Sequence, residues 1–130
     1  MRITAGGVLV KNGRILLGRR RSDRSYYPGV WDIFGGHCEQ GEAPEQTFIR
    51  ELEEELGVTP RRFEHIGSFE EPHPETHGEG EHHLFLVQEW IGNPANLGAE
   101  HDSIGWFTRE ELSDLDLASS KYIELFGNLM

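Results

Sequence analysis

The sequence predicts one α/β domain spanning residues 1–130, in which several strands accompany one long amphipathic helix. Short apolar segments bounded by Gly, Pro and Asn recur along the chain, which is typical of strands. Residues 45–56 instead carry apolar side chains at helical spacing. A chain of 130 residues can bury one core, and no linker, repeat or low-complexity tract divides it.

A β-hairpin is predicted at the start of the chain. Residues 3–10 (ITAGGVLV) are apolar and partly β-branched, which is typical of a buried strand. Asn12-Gly13 is a strong two-residue hairpin signal, so residues 14–18 should return antiparallel beside the first strand.

A cluster of arginines follows this hairpin. Such a cluster can simply keep a sheet edge soluble, or it can bind phosphate or carboxylate through the planar, bidentate guanidinium group. Because side chains alternate between the two faces of a strand, either Arg19 or Arg20 is the expected substrate contact. The cluster consists of Arg14, Arg19, Arg20, Arg21 and Arg24.

The central segment predicts a strand, a glycine loop and a helix. Residues 30–34 (VWDIF) form the strand and Gly35-Gly36 the loop, where backbone can approach a ligand closely. Pro44 near the first helical position and Gly57 just past the last are typical of a helix start and end. At 100° per residue, one arc is apolar and packs inward: Phe48, Ile49, Leu52 and Leu56.

Three carboxylates, Glu51, Glu54 and Glu55, occupy the adjoining arc of this helix. An acidic helix face usually just faces water. Here like charges crowd one side, including an i,i+4 pair, so a cation is expected to offset them. Hard oxygen ligands suit Mg²⁺ or Mn²⁺.

The second half of the chain predicts further strands and two short helices. Strands are expected at residues 63–71, 84–90 and 104–107. Residues 84–90 (LFLVQEW) are the most apolar of these and should lie centrally in the sheet. Helices are expected after a capping box at Thr108-x-x-Glu111 and over residues 118–126. The polar, histidine-rich segment 72–83 has no accompanying cysteine and no zinc-ligand spacing, so a mobile hairpin tip is the favoured interpretation.

Composition narrows the classes of partner and compartment. The net charge of −11 argues against binding a nucleic-acid polymer but not against a small phosphorylated substrate beside a local Arg cluster or bound cations. Cys38 is the single cysteine, so no internal disulfide can form and a cytoplasmic location is expected. No apolar run approaches the roughly 18 residues of a membrane span, and no signal peptide is recognisable.

The segment from Gly36 to Val58 resembles the Nudix box. Its fixed positions are all filled, namely Gly36, Glu42, Arg50, Glu51, Leu52, Glu54, Glu55, Gly57 and Val58. Nine specified positions within 23 residues make the signal specific for the family. The resemblance implies an α/β/α sandwich with a mixed, curved β-sheet and a loop–helix–loop catalytic motif.

The same resemblance implies an activity and its cofactor. Nudix hydrolases cleave the diphosphate linkage of a nucleoside diphosphate joined to another moiety, using Mg²⁺ or Mn²⁺. The substrate is then a nucleoside triphosphate, ADP-ribose, a sugar nucleotide or a dinucleotide. The closest group in character is the mutator-type nucleoside triphosphate pyrophosphatases. Many relatives are dimers, so a homodimer is an open possibility for the chain.

Residue roles follow from the resemblance position by position. Metal ligands are expected at Glu51, Glu54, Glu55 and Glu100, with a main-chain oxygen from Gly35 or Gly36. Glu51 or Glu100 is expected to accept the proton of the attacking water, Glu54 is expected to act in catalysis, and Asp102 is the substitute for Glu100. Arg50 and Gly57 are expected to hold the motif together, and Glu42 either orients the loop or lies near the metal.

Residues outside the box are expected to choose the substrate. The candidates are Arg19, Arg20, Tyr27, His37 and Ser119. His37 stands where mutator-type enzymes carry a phosphate-contacting Lys, and Ser119 aligns with the Asn that reads oxidised guanine there. Both differences argue against 8-oxo-dGTP as the substrate.

Two alternative functions remain at this point. Some Nudix domains bind nucleotides as regulatory modules without turnover, although their box glutamates are often degraded and here they are complete. Isopentenyl-diphosphate isomerase shares the run Pro28-Gly29-Val30-Trp31 and the dipeptide Gly36-His37. That enzyme needs a catalytic Cys just before its Gly-His, and here Gly35 stands in that place.

Overall fold

The fold is a mixed β-sheet with helices against both faces, in a computed structural model that describes residues 1–23, 28–119 and 121–127. Its elements in chain order are β1 (Arg2–Lys11), β2 (Arg14–Arg20), β3 (Trp31–Asp32), β4 (Phe34–His37), α1 (Pro44–Leu56), β5 (Thr59–Glu70), α2 (Pro74–His77), β6 (Gly80–Ile91), β7 (His101–Thr108), α3 (Arg109–Leu112) and α4 (Lys121–Gly127). The predicted α/β class is confirmed.

Strand β1 organises the sheet. It pairs in parallel with β6 and antiparallel with β4 and β2, while β5 adds antiparallel to β6. The predicted hairpin turn is present, with φ of 54° at Asn12 and 74° at Gly13. The two hairpin strands pair only next to the turn and then separate, so that β1 pairs with β4 and β2 pairs with β3 and β7. This divergence leaves room for β4, which contains Gly35 and Gly36: these residues were predicted as a loop but pair with Gly6 and Ala5 of β1. Residues 35–42, the end of β4 and the turn that follows it, are called the glycine loop below.

Alternation along the strands builds one core on each face of the sheet. On β1, Leu9 packs toward α1 and Val8 packs toward α4, and neighbouring residues of β2 and β6 divide in the same way. The core under α1 also contains Phe48, Leu52 and Leu56, as the helical periodicity predicted. The core on the other face contains Leu112, Tyr122 and Phe126 from α3 and α4. The layers therefore form an α/β/α sandwich.

Helix α1 carries the start and end signals that were read from the sequence. It begins at Pro44, the proline expected near the first helical position, and ends at Leu56. Gly57 follows in the left-handed region, with φ of 73°, and its N–H donates to the Glu53 carbonyl at 3.0 Å. A residue without Cβ adopts this conformation at little cost, which explains the glycine at this position.

Two predicted segments differ from the structure. Residues 30–34 do not form one strand, because β3 pairs with β2 whereas β4 crosses to β1, and Ile33 lies at the break. The histidine-rich segment is not a hairpin tip throughout: it contains the short helix α2, and β6 begins at Gly80. Parallel pairing with β1, starting at Arg2 opposite Gly80, draws the two histidines His82 and His83 into the sheet.

Candidate active site

Arg50 ties the glycine loop to helix α1. Its Nε and Nη2 each donate to the Glu42 carboxylate at 2.9 Å, and Nη2 also donates to the His37 carbonyl at 3.3 Å. A third contact joins Nη1 to Glu51 Oε1 at 3.0 Å. Hydrogen bonds from Arg50, from the Thr47 hydroxyl and from a backbone N–H lower the pKa of Glu42 to about 2. One guanidinium group therefore fixes the loop and orients a carboxylate of the helix.

The loop approaches the helix where only a glycine fits. Gly36 lies on β4 opposite Ala5, and a Cβ built on it would overlap the Glu51 carboxylate. Desolvation by burial raises the pKa of Glu51, with Glu54 and Glu100 adding to the effect and Arg50 opposing it. The backbone of the loop and a half-buried carboxylate are thus in direct contact.

Glu55 is the most unusual carboxyl group of the site. It is 5% exposed, its two carboxyl oxygens have no hydrogen-bond donor within the described residues, and the side chain it meets is the carboxyl group of Glu100, a second acid. His101 Nδ1 lies 3.9 Å from Oε1. Burial, reinforced by the neighbouring Glu100 and Glu51 carboxyl groups, raises the pKa of Glu55 to about 10. An unpaired buried carboxyl group is costly and requires an explanation.

Glu54 and Glu100 border this pair from two directions. The Glu54 side chain is 58% exposed and lies 3.5 Å from Arg50 Nη1. Glu100 lies in the loop before β7, lines the adjacent cleft, and its carbonyl accepts from the Arg21 N–H at 3.0 Å. The described site thus gathers Glu51, Glu55 and Glu100 most closely, and Glu54 stands at the solvent side.

An open cleft runs from this carboxylate group across the sheet toward α4. Among the residues expected to contact substrate, it is lined by Arg20, His37 and Ser119. Arg19 is not part of it: its Nε and Nη2 donate to the two oxygens of the Asp102 carboxylate, at 2.9 and 3.0 Å, across β2 and β7. The open choice between the two arginines therefore favours Arg20, and Asp102 is occupied elsewhere. Tyr27 lies outside the described residues.

The two lining residues that differ from mutator-type enzymes have local constraints. Burial, together with the nearby Arg2 charge, lowers the pKa of His37, so the neutral imidazole is favoured. Ser119 is buried, and its Oγ accepts from the Lys121 N–H at 3.2 Å at the start of α4. Its hydroxyl hydrogen can still be directed toward the cleft, because that oxygen acts as the acceptor in the cap.

A buried aspartate in the cleft was missed by the sequence reasoning. Asp32 Oδ1 accepts from the Tyr122 hydroxyl at 2.5 Å and from the Ile33 N–H at 2.8 Å, while Arg20 lies 3.9 Å from Oδ2. Burial raises its pKa despite these donors. The signal that could have found it was a single charged residue within the otherwise apolar segment VWDIF.

A second polar group in the cleft wall was missed because its histidine was assigned to a loop. His82 lies between Thr4 and Glu71, with hydrogen bonds of 2.5 Å and 2.8 Å. All three residues line the cleft. If the strand had been predicted to start four residues earlier, the alternation of side chains would have placed His82 on the same face of the sheet as Leu84. His82 would then have been recognised as part of the cleft wall.

The carboxyl groups of α1 fit a divalent cation. Within residues 1–23, 28–119 and 121–127, no three His, Cys, Asp or Glu side chains are already arranged as a closed metal site. Mg²⁺, however, usually binds through one or two carboxylates and keeps water or substrate phosphate as its other ligands. The unpaired oxygens of Glu55, beside Glu51 and the glycine loop, provide hard oxygen donors in a suitable setting.

None of the helices in the described part of the chain is long and apolar enough to cross a membrane.

Comparison with known proteins matches the chain to one family and to hydrolases that act on nucleoside triphosphates. The family model described as NUDIX domain matches residues 1–126. The chain is 34% identical over 94 residues to the 8-oxo-dGTP diphosphatase of Escherichia coli (strain K12), which covers 72% of this chain and 70% of that protein. It is 31% identical over 123 residues to the nucleoside triphosphatase NudI of Enterobacter sp. (strain 638), covering 85% and 84%.

A solved structure shows the same architecture. The MutT NUDIX hydrolase from Burkholderia pseudomallei superposes with a TM-score of 0.78 at 28% identity, covering 84% of each chain.

Proposed function

This chain belongs to the NUDIX family, and on that premise we propose that it hydrolyses the diphosphate linkage of a nucleoside diphosphate joined to another moiety. The relatives named a diphosphatase and a nucleoside triphosphatase support a hydrolase that acts on phosphoric anhydrides. Nudix hydrolases generally use divalent metal ions, and the hard oxygen donors of this site favour Mg²⁺ or Mn²⁺. A nucleoside triphosphate is the proposed substrate class.

Glu51, Glu54, Glu55 and Glu100 are the proposed metal ligands, together with the carbonyl oxygen of Gly36. When bound, a divalent ion neutralises the anionic diphosphate oxygens and lowers the pKa of an attacking water. Carboxylates one turn apart on a rigid helix hold such groups in a fixed geometry. Arg50 supports this arrangement by orienting Glu51 and binding Glu42 rather than by touching substrate.

The remaining residues supply proton acceptance and substrate orientation. Glu51 or Glu100 accepts the proton of the attacking water, since both carboxyl groups lie beside the loop and the cleft. Arg20 extends from the end of β2 into the cleft, where its guanidinium group can pair with phosphate oxygens. Neutral His37 can donate one hydrogen bond to the same groups.

The observation that carries this proposal is the unpaired, buried carboxyl group of Glu55. A structural acid at this depth would be placed beside a hydrogen-bond donor, whereas within the described residues Glu55 has no such donor and faces the acidic side chain of Glu100 instead. Binding a cation accounts for both the burial and the missing donors. A nucleotide-sensing module without catalysis would not require this arrangement to be retained.

The isomerase alternative is disfavoured by the packing around Gly35. A Cβ at this position would overlap the Ala5 carbonyl oxygen and lie 2.5 Å from the Gly6 Cα. A cysteine side chain, which that chemistry needs here, has no space on this backbone.

A pair of matched glutamine variants tests the proposal. Glu54→Gln should lower kcat for nucleoside triphosphate hydrolysis by orders of magnitude while leaving the thermal unfolding temperature nearly unchanged, because this side chain is largely exposed. Glu53→Gln removes an exposed charge from the neighbouring position of the same helix and should retain activity. Near-normal turnover by the Glu54 variant at saturating Mg²⁺ would contradict the assignment.

A further inference from the structure

Three side chains form a hydrogen-bonded chain in the wall of the cleft, outside the Nudix box. His82 on β6 places Nδ1 2.5 Å from Thr4 Oγ1 on β1 and Nε2 2.8 Å from Glu71 Oε2, just after β5. The Glu71 side chain is 2% exposed, and its Oε1 accepts from the His73 N–H at 3.2 Å. Thr4 is partly exposed and lines the cleft.

The hydrogens of this chain can be assigned from its chemistry. An ionised Glu71 can only accept, so Nε2 of His82 must carry the hydrogen between them. In the neutral ring Nδ1 then has only a lone pair, and it accepts the hydroxyl hydrogen of Thr4. Thr4 Oγ1 consequently presents only lone pairs to the cleft.

One additional proton reverses the direction of this chain. It can reside on the imidazole ring, making His82 a cation, or on Glu71, which then donates to Nε2. In both cases Nδ1 carries a hydrogen and donates it to Thr4 Oγ1. The Thr4 hydroxyl hydrogen is then free to point into the cleft, so Thr4 becomes a donor there.

The surrounding wall suits a nucleobase. The Phe69 ring lies 5.2 Å from the His82 ring and 6.3 Å from the Tyr122 ring, and all three residues line the cleft. Aromatic surfaces of this kind stack on bases. The glycine loop and Glu100, where the diphosphate is proposed to bind, border the same cleft.

We propose that Thr4 is a specificity-determining residue that hydrogen-bonds the exocyclic group of the substrate's nucleobase, and that His82 and Glu71 set its polarity. With one proton shared by His82 and Glu71, Thr4 Oγ1 accepts a hydrogen bond from the base, so the site favours a base with an exocyclic amino group over one with an oxo group. With two protons, Thr4 donates, and the preference moves toward the oxo base. This inference rests on the proposed nucleotide hydrolysis.

Several charged or titratable groups face His82 from the elements packed around it. They change the pH at which the second proton binds but act equally on both members of a substrate pair. They are Arg2 of β1, Asp32 of β3, His37 of β4, Glu71 just after β5, His77 of α2 and Tyr122 of α4.

The test uses matched nucleotides in which an exocyclic amino group is replaced by an oxo group and the adjacent ring nitrogen gains a hydrogen. The ratio of kcat/KM for CTP over UTP, and for ATP over ITP, is measured at a series of pH values from about 6 to about 8. Within each pair the triphosphate is the same, so the pH dependence of metal binding cancels in the ratio. The wild-type ratio should rise with pH by roughly three- to tenfold, the worth of one neutral hydrogen bond.

Two variants distinguish the loss of base recognition by Thr4 from a general effect of a Thr→Val substitution. Thr4→Val removes the hydroxyl at similar volume, so hydrolysis should persist while the ratio becomes independent of pH. Thr59→Val is the matched control, because Thr59 is an exposed residue of β5 whose hydroxyl donates to the Glu53 carboxylate, away from the cleft. The control should keep the wild-type pH dependence.

The positioning roles need a variant and a readout of their own. Glu71→Gln removes the titratable carboxyl group, so the pH midpoint of the ratio should shift while turnover persists. In metal-free protein, the imidazole ¹⁵N signals of His82, identified by their loss in His82→Gln, should show hydrogen on Nε2 at about pH 8.

The outcomes of the two proposals are distinguishable. Turnover with a ratio that is flat in the wild type, or equally pH-dependent in Thr4→Val, overturns this inference alone. Hydrogen on Nδ1 of the neutral His82 ring also overturns it. If no nucleotide is hydrolysed, the proposed function fails. The same ratio taken from dissociation constants then decides whether Thr4 reads the base.

Discussion

Replacing Glu55 with glutamine should stabilise the metal-free protein while it abolishes metal-dependent activity. The Glu55 carboxyl group is buried, no donor to it lies within the described part of the chain, and its pKa is raised to about 10 from an ordinary value of 4.5. At neutral pH it is therefore protonated when folded and ionised when unfolded. An amide is neutral in both states and has a similar shape, so the variant avoids this difference.

The magnitude follows from proton linkage. The folded state binds one more proton than the unfolded state between the two pKa values, so wild-type stability falls as pH rises. Neutral pH lies about 2.5 units above the unfolded pKa, and each unit is worth about 1.4 kcal/mol, which gives about 3 kcal/mol. The advantage of the variant should grow by about 1.4 kcal/mol per pH unit across this range.

The assay is denaturant unfolding of both proteins in EDTA at several pH values, with Glu53→Gln as the control. Glu53 lies on the same helix but is exposed, so its replacement should change the free energy of unfolding by less than about 0.5 kcal/mol. If Glu55→Gln is less stable than the wild type at neutral pH, or if the difference does not vary with pH, the reasoning about the buried acid is refuted.

Three further predictions concern the same site. Saturating Mg²⁺ should raise the melting temperature of the wild type, because binding to the folded state stabilises that state, but it should not raise that of Glu55→Gln. Equal increases in melting temperature for the two proteins in thermal denaturation would contradict this. Arg50→Lys cannot make the bidentate contact with Glu42, so both melting temperature and kcat should fall. The Arg50–Glu42 ion pair contributes fully to the free energy of unfolding above pH 4.5, and this contribution is lost as pH falls toward about 2. The free energies of unfolding of the variant and the wild type should therefore converge in acid. Gly36→Ala should displace the adjoining carboxylate and lower kcat, whereas Gly67→Ala, where a Cβ meets only an ordinary 3.5 Å contact, should not.

Local patterns in the sequence were sufficient for the helix and for much of the sheet. The start at Pro44, the end before Gly57 and the core stripe through Phe48, Leu52 and Leu56 were all predicted, because each depends on contacts or conformations within a few residues. The match of the family model confirms the resemblance that was read from the same segment.

Features that depend on distant pairing could not be predicted. The break at Ile33 arises because β3 and β4 choose different partner strands. The early start of β6 follows from parallel pairing with β1, residues that are some eighty positions away in sequence. For the same reason, the sequence left the choice between Arg19 and Arg20 open, whereas the structure pairs Arg19 with Asp102.

Helical periodicity likewise placed three carboxylates on one arc without separating their environments. Burial depends on what packs above the helix, and here the loop before β7 covers Glu55. A Cβ built on Gly98 of that loop would lie 3.5 Å from Glu55 Cγ, which is van der Waals contact. Glu54, one residue earlier, remains open to solvent. The distinction between a buried, unpaired ligand candidate and an exposed one is therefore a property of tertiary structure.

Product analysis of a nucleotide panel tests the central claim most directly. Purified protein is incubated with nucleoside triphosphates, ADP-ribose, sugar nucleotides and dinucleotides, with Mg²⁺, Mn²⁺ or EDTA, and the products are identified by ³¹P NMR. We expect cleavage of a diphosphate linkage in at least one nucleotide, dependent on the added metal ion and lost in EDTA. Binding of nucleotides without any cleavage in Mg²⁺ or Mn²⁺ would contradict the account.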